Sequence, residues 1–368
     1  MPQKDSWEEA KDQLAAFFAG VLMLLYAPYG IWTNESAAAR NAAAYHEMSA
    51  KVVSAQPTER ESGGEVRLVH VAGRATATQA LSDRIFRVSA VALRLTRSVE
   101  MFQWMESSST HDGHTNYVYS QGWSESGVDS SKFHDRAGHE NPPIPVPSCS
   151  WNNADGRVGE FRLNGKLVAQ IPAFTPLPVT EAMFQGMSPE VRSAYTLKSG
   201  ALAKGDGTHA GDLRVTFTTI GPQDISVIAG SKGNALQPWL TASGEERQLL
   251  EAGLVDAPTM LAHLHHQDVQ TVWHWRFGLL FAVWFGLQFA VRPMFDILAA
   301  VPVVGTLLAP LLRLLGMFAT FALACVLTLG ITAVAWLAVR PMLSAGLLAT
   351  GAVLLFGFKR KPAAPPAA

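Results

Sequence analysis

Apolar residues are distributed in two ways along this 368-residue chain, as unbroken runs near its ends and as an alternation in between. Leu14–Ile31 (LAAFFAGVLMLLYAPYGI) carries no charge, and Trp32 follows it as an interfacial residue. A helix needs roughly 20 mainly apolar residues to cross a hydrocarbon core of about 30 Å. The same test is met by Trp273–Val291, which opens on the aromatic pair Trp273 and Trp275, by Leu314–Val339, and by the shorter Met342–Phe358. Four membrane helices are therefore predicted, at 14–32, 273–291, 314–339 and 342–358, the last two joined by a tight hairpin at Arg340-Pro341. Ile297–Leu312 is also apolar, but Pro302, Gly305 and Pro310 interrupt it. Proline lacks a backbone donor and disfavours a straight lipid-exposed helix. The 292–313 stretch is read as a cytoplasmic interfacial or re-entrant segment, with a fifth span as the alternative.

Between the runs, apolar and polar residues alternate at period two, as expected of strands with one buried face. Val66, Leu68 and His70 share a face, as do Val91, Leu93 and Leu95, continued by Val99, Met101 and Gln103. Tyr117 with Tyr119, Leu213 with Val215 and Phe217, and Ile225 with Val227 and Ala229 repeat the pattern. Turn dipeptides separate these stretches, among them Gly63-Gly64, Asp112-Gly113, Asp206-Gly207 and Gly221-Pro222. Helical stretches are expected at Ala37–Val53 and at Ala257–Trp273, the second capped by Asp256 with Pro258 in its first turn. The fold class is an α+β membrane protein. One helix lies N-terminal and three lie C-terminal to a β-rich domain at 33–272, long enough for two subdomains.

Charge sharpens this topology. The chain has 29 Lys+Arg against 30 Asp+Glu, and only 16% of its residues are charged. Near neutrality gives no basic footprint for nucleic acid. Between Phe277 and Phe358 the charges are Arg292, Asp296, Arg313 and Arg340 alone. Lys4, Lys11, Arg292, Arg313, Lys359, Arg360 and Lys361 fall on one side of the spans, and Arg40, Arg276 and Arg340 on the other. The positive-inside rule then places both termini in the cytoplasm, including the 1–13 segment and the 359–368 tail, with the large domain outside it. The acidic leader (Asp5, Glu8, Glu9, Asp12) favours a retained first helix over a cleaved signal peptide, the alternative that the Ala-rich stretch after it keeps open. Cys149 and Cys325 fall in different compartments, so no internal disulfide is expected.

Candidate chemistry is sparse. His111 and His114, with His134 and His139, are the weak metal candidates, but zinc requires three or four converging ligands and no HExxH or Cys partner accompanies them. The spans hold neither an Asp pair nor a Ser/His pair, and no phosphate-binding glycine loop occurs. No catalytic residue and no cofactor is assigned. Glu100, Met101, Phe102, Gln103, Trp104 and Glu106 form the richest segment, either an interface anchored by Trp and Met or a strand whose Trp and Met pack a core while its acids face water. Gly316, Ala319, Ala322 and Ala324 are small residues that allow close helix contact, between copies or within one chain.

Several of these segments recur together in a known family. Val69-His70-Val71-x-Gly73, the Arg97–Glu106 segment, Tyr117-x-Tyr119-x-x-x-Trp123, Gly138-His139-x-Asn141-Pro142, Gly211-Asp212-Leu213-Arg214-Val215-x-Phe217 and Arg340-Pro341 together resemble the LUMA (transmembrane protein 43) family. The resemblance runs from the first span onward, and the apolar 297–312 stretch is its poorest match. It implies an integral membrane protein that self-associates, with no known enzymatic activity. Animal members sit in the endoplasmic reticulum and inner nuclear membrane. The Ala-rich composition points instead to a bacterial source, whose cytoplasmic membrane would be the site and in which lamina partners have no counterpart. The expected function is a non-enzymatic, self-associating scaffold for envelope organisation. Its partners would be the lipid bilayer, further copies of the chain and other membrane proteins. An extracytoplasmic metal-dependent hydrolase built on the histidines is the alternative.

Overall fold

The structure is a computed structural model describing residues 6–59, 64–111, 114–299 and 309–337, together with 345–346, 349–350 and 353. The chain forms two compact units, Met48–Met260 on the one hand and Met1–Glu47 with Leu261–Ala368 on the other.

Among the described residues, three helices are long and apolar enough to cross a membrane, at Gln13–Lys51, Ala257–Phe295 and Leu311–Leu337, and most of their length lies in the helical unit. The first helix runs without a break from Ser6 to Lys51, so it does not stop at Trp32. Nothing in 33–36 breaks it, because Thr33 bonds back to the carbonyls of Tyr29 and Gly30 and keeps the backbone helical. The second runs from Ala257 to Ala299, past Arg292 and through Pro293, and the third from Ala309 to Leu337. The segment expected from 292 is thus helical to 299 and again from 309, while 300–308 lie outside the described residues. So do the Arg340-Pro341 hairpin and, apart from five positions, the fourth expected span. At 1.5 Å per residue, a helix of 39 residues is about 58 Å long, nearly twice the hydrocarbon core.

Glycines let these helices approach closely. A Cβ on Gly20 would lie 2.8 Å from the carbonyl oxygen of Gly286, and one on Gly316 would lie 2.4 Å from the Phe295 ring. Ala27, Val283 and Ala324, one from each helix, form the buried centre of the bundle.

In the other unit, the alternating stretches form strands at Arg67–Thr76, Arg94–His111, His114–Ser124, Leu213–Ile220 and Gln223–Lys232. Arg67–Thr76 and Gln223–Lys232 pair antiparallel from Arg67↔Ser231 to Ala75↔Gln223. Short strands at Arg157–Val158, Phe161–Arg162 and Ala235–Gln237 link their outer edges into a ring. Both strands are buried on both faces over much of their length, hence the unbroken buried run Leu68–Val71, His70 included, rather than a clean alternation. Val69, Val71, Phe161, Leu167, Ile225 and Val227 fill this first core.

The second sheet is built on the 18-residue strand Arg94–His111. It pairs with Leu213–Ile220 through its first half and with His114–Ser124 through its second, forming a long hairpin. Leu95, Val99, Met101, Leu213, Val215 and Phe217 face a second core. Arg97 points into the same core, where its Nη1 donates to the fully buried Asp83. The Asp83 carboxylate also accepts from the amides of Ile85 and Phe86. The remaining guanidinium donors reach the Pro147 carbonyl at 2.8 and 3.2 Å, and the rings of Phe86 and Trp151 flank the cation.

Candidate functional site

Alternation along Arg94–His111 decides which side chains of its central segment meet. Met101 and Gln103 point into the core, both essentially without solvent exposure. Trp104 therefore lies on the opposite face from Met101, with Glu100, Phe102 and Glu106, and it is Gln103 rather than Trp104 that is buried. A buried amide must be hydrogen-bonded. Gln103 donates to the Ser126 carbonyl at 2.7 Å and accepts from the Val128 amide at 2.9 Å, which fixes the chain leaving the hairpin.

That chain then folds back over the hairpin. Asn141 accepts from the Trp104 amide at 2.7 Å and donates to the Trp104 carbonyl at 2.9 Å, so one side chain stands in for a neighbouring strand. Beside it Pro142 packs on Gly211, where φ is +101° and a Cβ would approach within 2.8 Å of the proline ring. His139 lies edge-on to Trp104 and stacks on Tyr119 at 4.0 Å, while His134 stacks on Tyr117 at 4.1 Å. Gly138, at φ +81°, supplies the turn that delivers His139. Tyr119 donates to Glu106 at 2.6 Å, and the His134 amide donates to the same Glu106 oxygen at 2.6 Å. Burial, followed by this hydrogen bond to an anion, raises the Tyr119 phenol above its usual value and keeps it a donor. Glu100 pairs with Arg214 at 2.7 Å, and the Arg214 guanidinium lies 4.8 Å above the Trp123 ring. Phe102 exchanges backbone hydrogen bonds with Gly211 and Asp212.

Segments distant in sequence thus meet on one hairpin, and Glu100 and Glu106 are partnered rather than simply facing water. The four histidines do not gather. His111 and His114 sit opposite each other at the hairpin tip, whereas His134 and His139 stack on separate tyrosines. Among the described residues the group with metal-ligand spacing is Asp206, His209 and Asp212. There the Asp212 carboxylate already accepts from the amides of Gly207, Thr208 and His209 at 2.8 to 3.2 Å, so it closes a turn. Hydrogen bonds from Thr208 hold the Asp206 carboxyl down at about 2.

In the third helix the four small residues do not share a face. Gly316, Thr320 and Ala324 recur at four-residue spacing and turn towards the chain's own bundle, leaving Ala319 and Ala322 exposed.

The pattern of apolar runs gives no sign of a second cluster, in the helical unit. Glu35 has no exposed side-chain surface, and it accepts from Arg276 Nε and Nη2, both at 2.7 Å, and from Trp336 Nε1 at 2.6 Å. The guanidinium lies 4.8 Å from the Trp273 ring centre and 5.6 Å from that of Trp336. All three helices contribute. Ending the first helix at Trp32 hides Glu35, and only the antiparallel register of two helices brings it to Arg276. A lone acid just past one span and a lone base just inside the next is the signal available in the sequence.

Among the described residues, three helices long and apolar enough to cross a membrane, with a β-rich unit inserted between the first and second, define an integral membrane protein. The family model described as "Transmembrane protein 43" matches residues 101–341, and the chain belongs to that family. It is 28% identical to Transmembrane protein 43 of Rattus norvegicus over 364 residues, covering 94% of this chain and 89% of the relative. It is 27% identical to the Transmembrane protein 43 homolog of Drosophila melanogaster, covering 93% of each. The human protein is 28% identical, with 91% and 87% covered. No solved structure matches the chain.

Proposed function

We propose that the protein is a non-enzymatic, self-associating membrane scaffold, set in a bacterial cytoplasmic membrane with its β-rich unit outside the cytoplasm. The observation that carries this reading is the outer edge of the hairpin. His114–Ser124 is the last strand of its sheet. Phe102 bonds Asp212 and Gly211 on one side, so Gln103 faces Gly122 on the other, and the register leaves Thr115, Tyr117, Tyr119, Gln121 and Trp123 turned outward. No strand pairs with that edge among the described residues. Natural edge strands are usually shortened or blunted by Lys or Pro. This one is 11 residues long (HTNYVYSQGWS) and has neither.

Such an edge suits strand addition by a second copy or by another membrane protein. The sequestered motif side chains agree with a rigid platform, since Glu106, Tyr119 and Asn141 all spend their polar atoms holding the hairpin. The Lys and Arg bias at the span ends supports the orientation. Gln121 offers a clean test, because its amide points outward and a proline there removes an edge donor without breaking the hairpin's own ladder. Cross-linking of the full chain in native membranes is expected to give a dimer band that Gln121→Pro weakens. Equal cross-linking of the two proteins, both folded, would overturn edge pairing as the basis of association.

A further inference from the structure

The helical unit holds a cavity of about 430 Å³, within the roughly 300–1,000 Å³ of small-molecule sites. Leu280, Cys325 and Leu329 line it towards one end, and Trp273, Arg276 and Trp336 at the other. Cys325 and Trp336 stand 11 residues apart on one unbroken helix, so the cavity reaches about 16 Å along the bundle. That is about half of a 30 Å hydrocarbon core, the depth of one leaflet. Spread over this length, 430 Å³ leaves a mean cross-section of about 27 Å², room for one extended hydrocarbon chain and too little for two. Tryptophan favours the membrane interface, so the slot runs from the interfacial level into the hydrocarbon.

The polar end decides which part of a lipid is recognised. Glu35 is saturated, because it accepts from Arg276 Nε and Nη2 and from Trp336 Nε1. Arg276 Nη1 has no hydrogen-bond partner among the described residues, and the side chain keeps 26% exposure. The tryptophan rings, 4.8 and 5.6 Å away, hold the guanidinium in place. A fixed donor thus remains at the interfacial end of an apolar slot. The Glu35–Arg276 pair is neutral as a whole, so a phosphate or carboxylate on Nη1 would meet the Glu35 charge across a single guanidinium. An uncharged acceptor avoids that repulsion. In a glycerolipid the uncharged acceptor at the interfacial end of the chain is the acyl ester carbonyl.

We propose that this cavity binds one ester-linked acyl chain of a bilayer glycerolipid, with the ester carbonyl on Arg276 Nη1 and the chain running past Leu280 and Leu329 to Cys325, whatever the headgroup. The site does not depend on self-association through the hairpin, and either can fail alone.

The test uses the full chain in nanodiscs doped with phosphatidylcholine probes that carry a diazirine in the hydrocarbon chain. One probe has ester linkages and the other has ether linkages, which lack the carbonyl. Adducts are mapped by peptide mass spectrometry. Labelling is expected on the peptides holding Cys325 and Leu329, the ester probe exceeding the ether probe by about fivefold, the worth of one hydrogen bond. An ester-linked phosphatidylglycerol probe should label as the phosphatidylcholine one does. Thr328→Phe fills the cavity without touching the Glu35–Arg276 pair, and the Thr328 hydroxyl bonds only its own helix, so no partner is orphaned. That variant should lose these adducts and keep those at the exposed Phe318. The linkage ratio is read on the parent chain, so it stands even where the variant fails to fold. Equal labelling by ester and ether probes would overturn carbonyl recognition, and a headgroup preference of about fivefold would overturn the ligand. Unchanged labelling in Thr328→Phe, or adducts confined to outward positions, would overturn the site.

Discussion

At the scale of single residues, each unit contains an ion pair with a fully buried carboxylate, Arg97–Asp83 in the β-rich unit and Arg276–Glu35 in the helical one. Removing one member of a buried pair leaves the other charge uncompensated, at a cost of about 3–5 kcal/mol, whereas replacing both can be nearly neutral. Arg97→Met should therefore destabilise the β-rich unit by about that amount, and Asp83→Asn added to it should recover much of the loss, as read in urea unfolding. Asn141→Ala strips the Trp104 amide and carbonyl of their shared partner and should cost about 1–3 kcal/mol in the same assay. Acid sensitivity has a definite sign. Asp129, Asp155 and Asp206 are all held below their ordinary 3.8, Asp206 at about 2, chiefly by hydrogen bonds from Ser131, Thr78 and Thr208 respectively. Groups with depressed folded values contribute stability that is complete above the unfolded value and lost as pH falls through the folded one. Asp206→Asn should thus lower the urea midpoint at pH 7, and its difference from the parent should vanish between about pH 4 and pH 2.

At the scale of elements, helix contact and strand register carry the predictions. Gly20 meets the Gly286 backbone, so Gly20→Leu should weaken packing of the first two helices, by about 1–3 kcal/mol for overpacking. Gly278 faces open space, and Gly278→Leu should leave detergent-melting temperatures unchanged. Much at this scale was legible in advance. Period-two alternation located the five long strands, because one-sided burial imposes it, and it put Gln103 beside Met101. It misled where burial is two-sided, as at Val69–Val71, while the apolar run that ended the first span at Trp32 did not show that the helix continues to Lys51. The candidate site was legible only as a set of segments. Alternation alone separates Trp104 from Met101, but Asn141 acting as a strand and Glu35 meeting Arg276 depend on registers between distant segments, which no local pattern encodes.

At the scale of the molecule, a near-neutral chain divides into a β-rich unit that holds most of the charges and a helical unit whose 277–358 stretch carries only four. There Glu35, Arg276 and Trp336, one from each helix, converge on one cluster. The β-rich unit offers a strand edge with no pairing strand among the described residues, and the account of a scaffold depends on that edge being used. Light scattering of the full chain in mild detergent tests this most directly. The account predicts a protein mass that is a multiple of the 39.7 kDa chain and that falls towards 39.7 kDa in Gln121→Pro. A mass of 39.7 kDa for the parent protein at every concentration, with no intermolecular cross-link in native membranes, would contradict it.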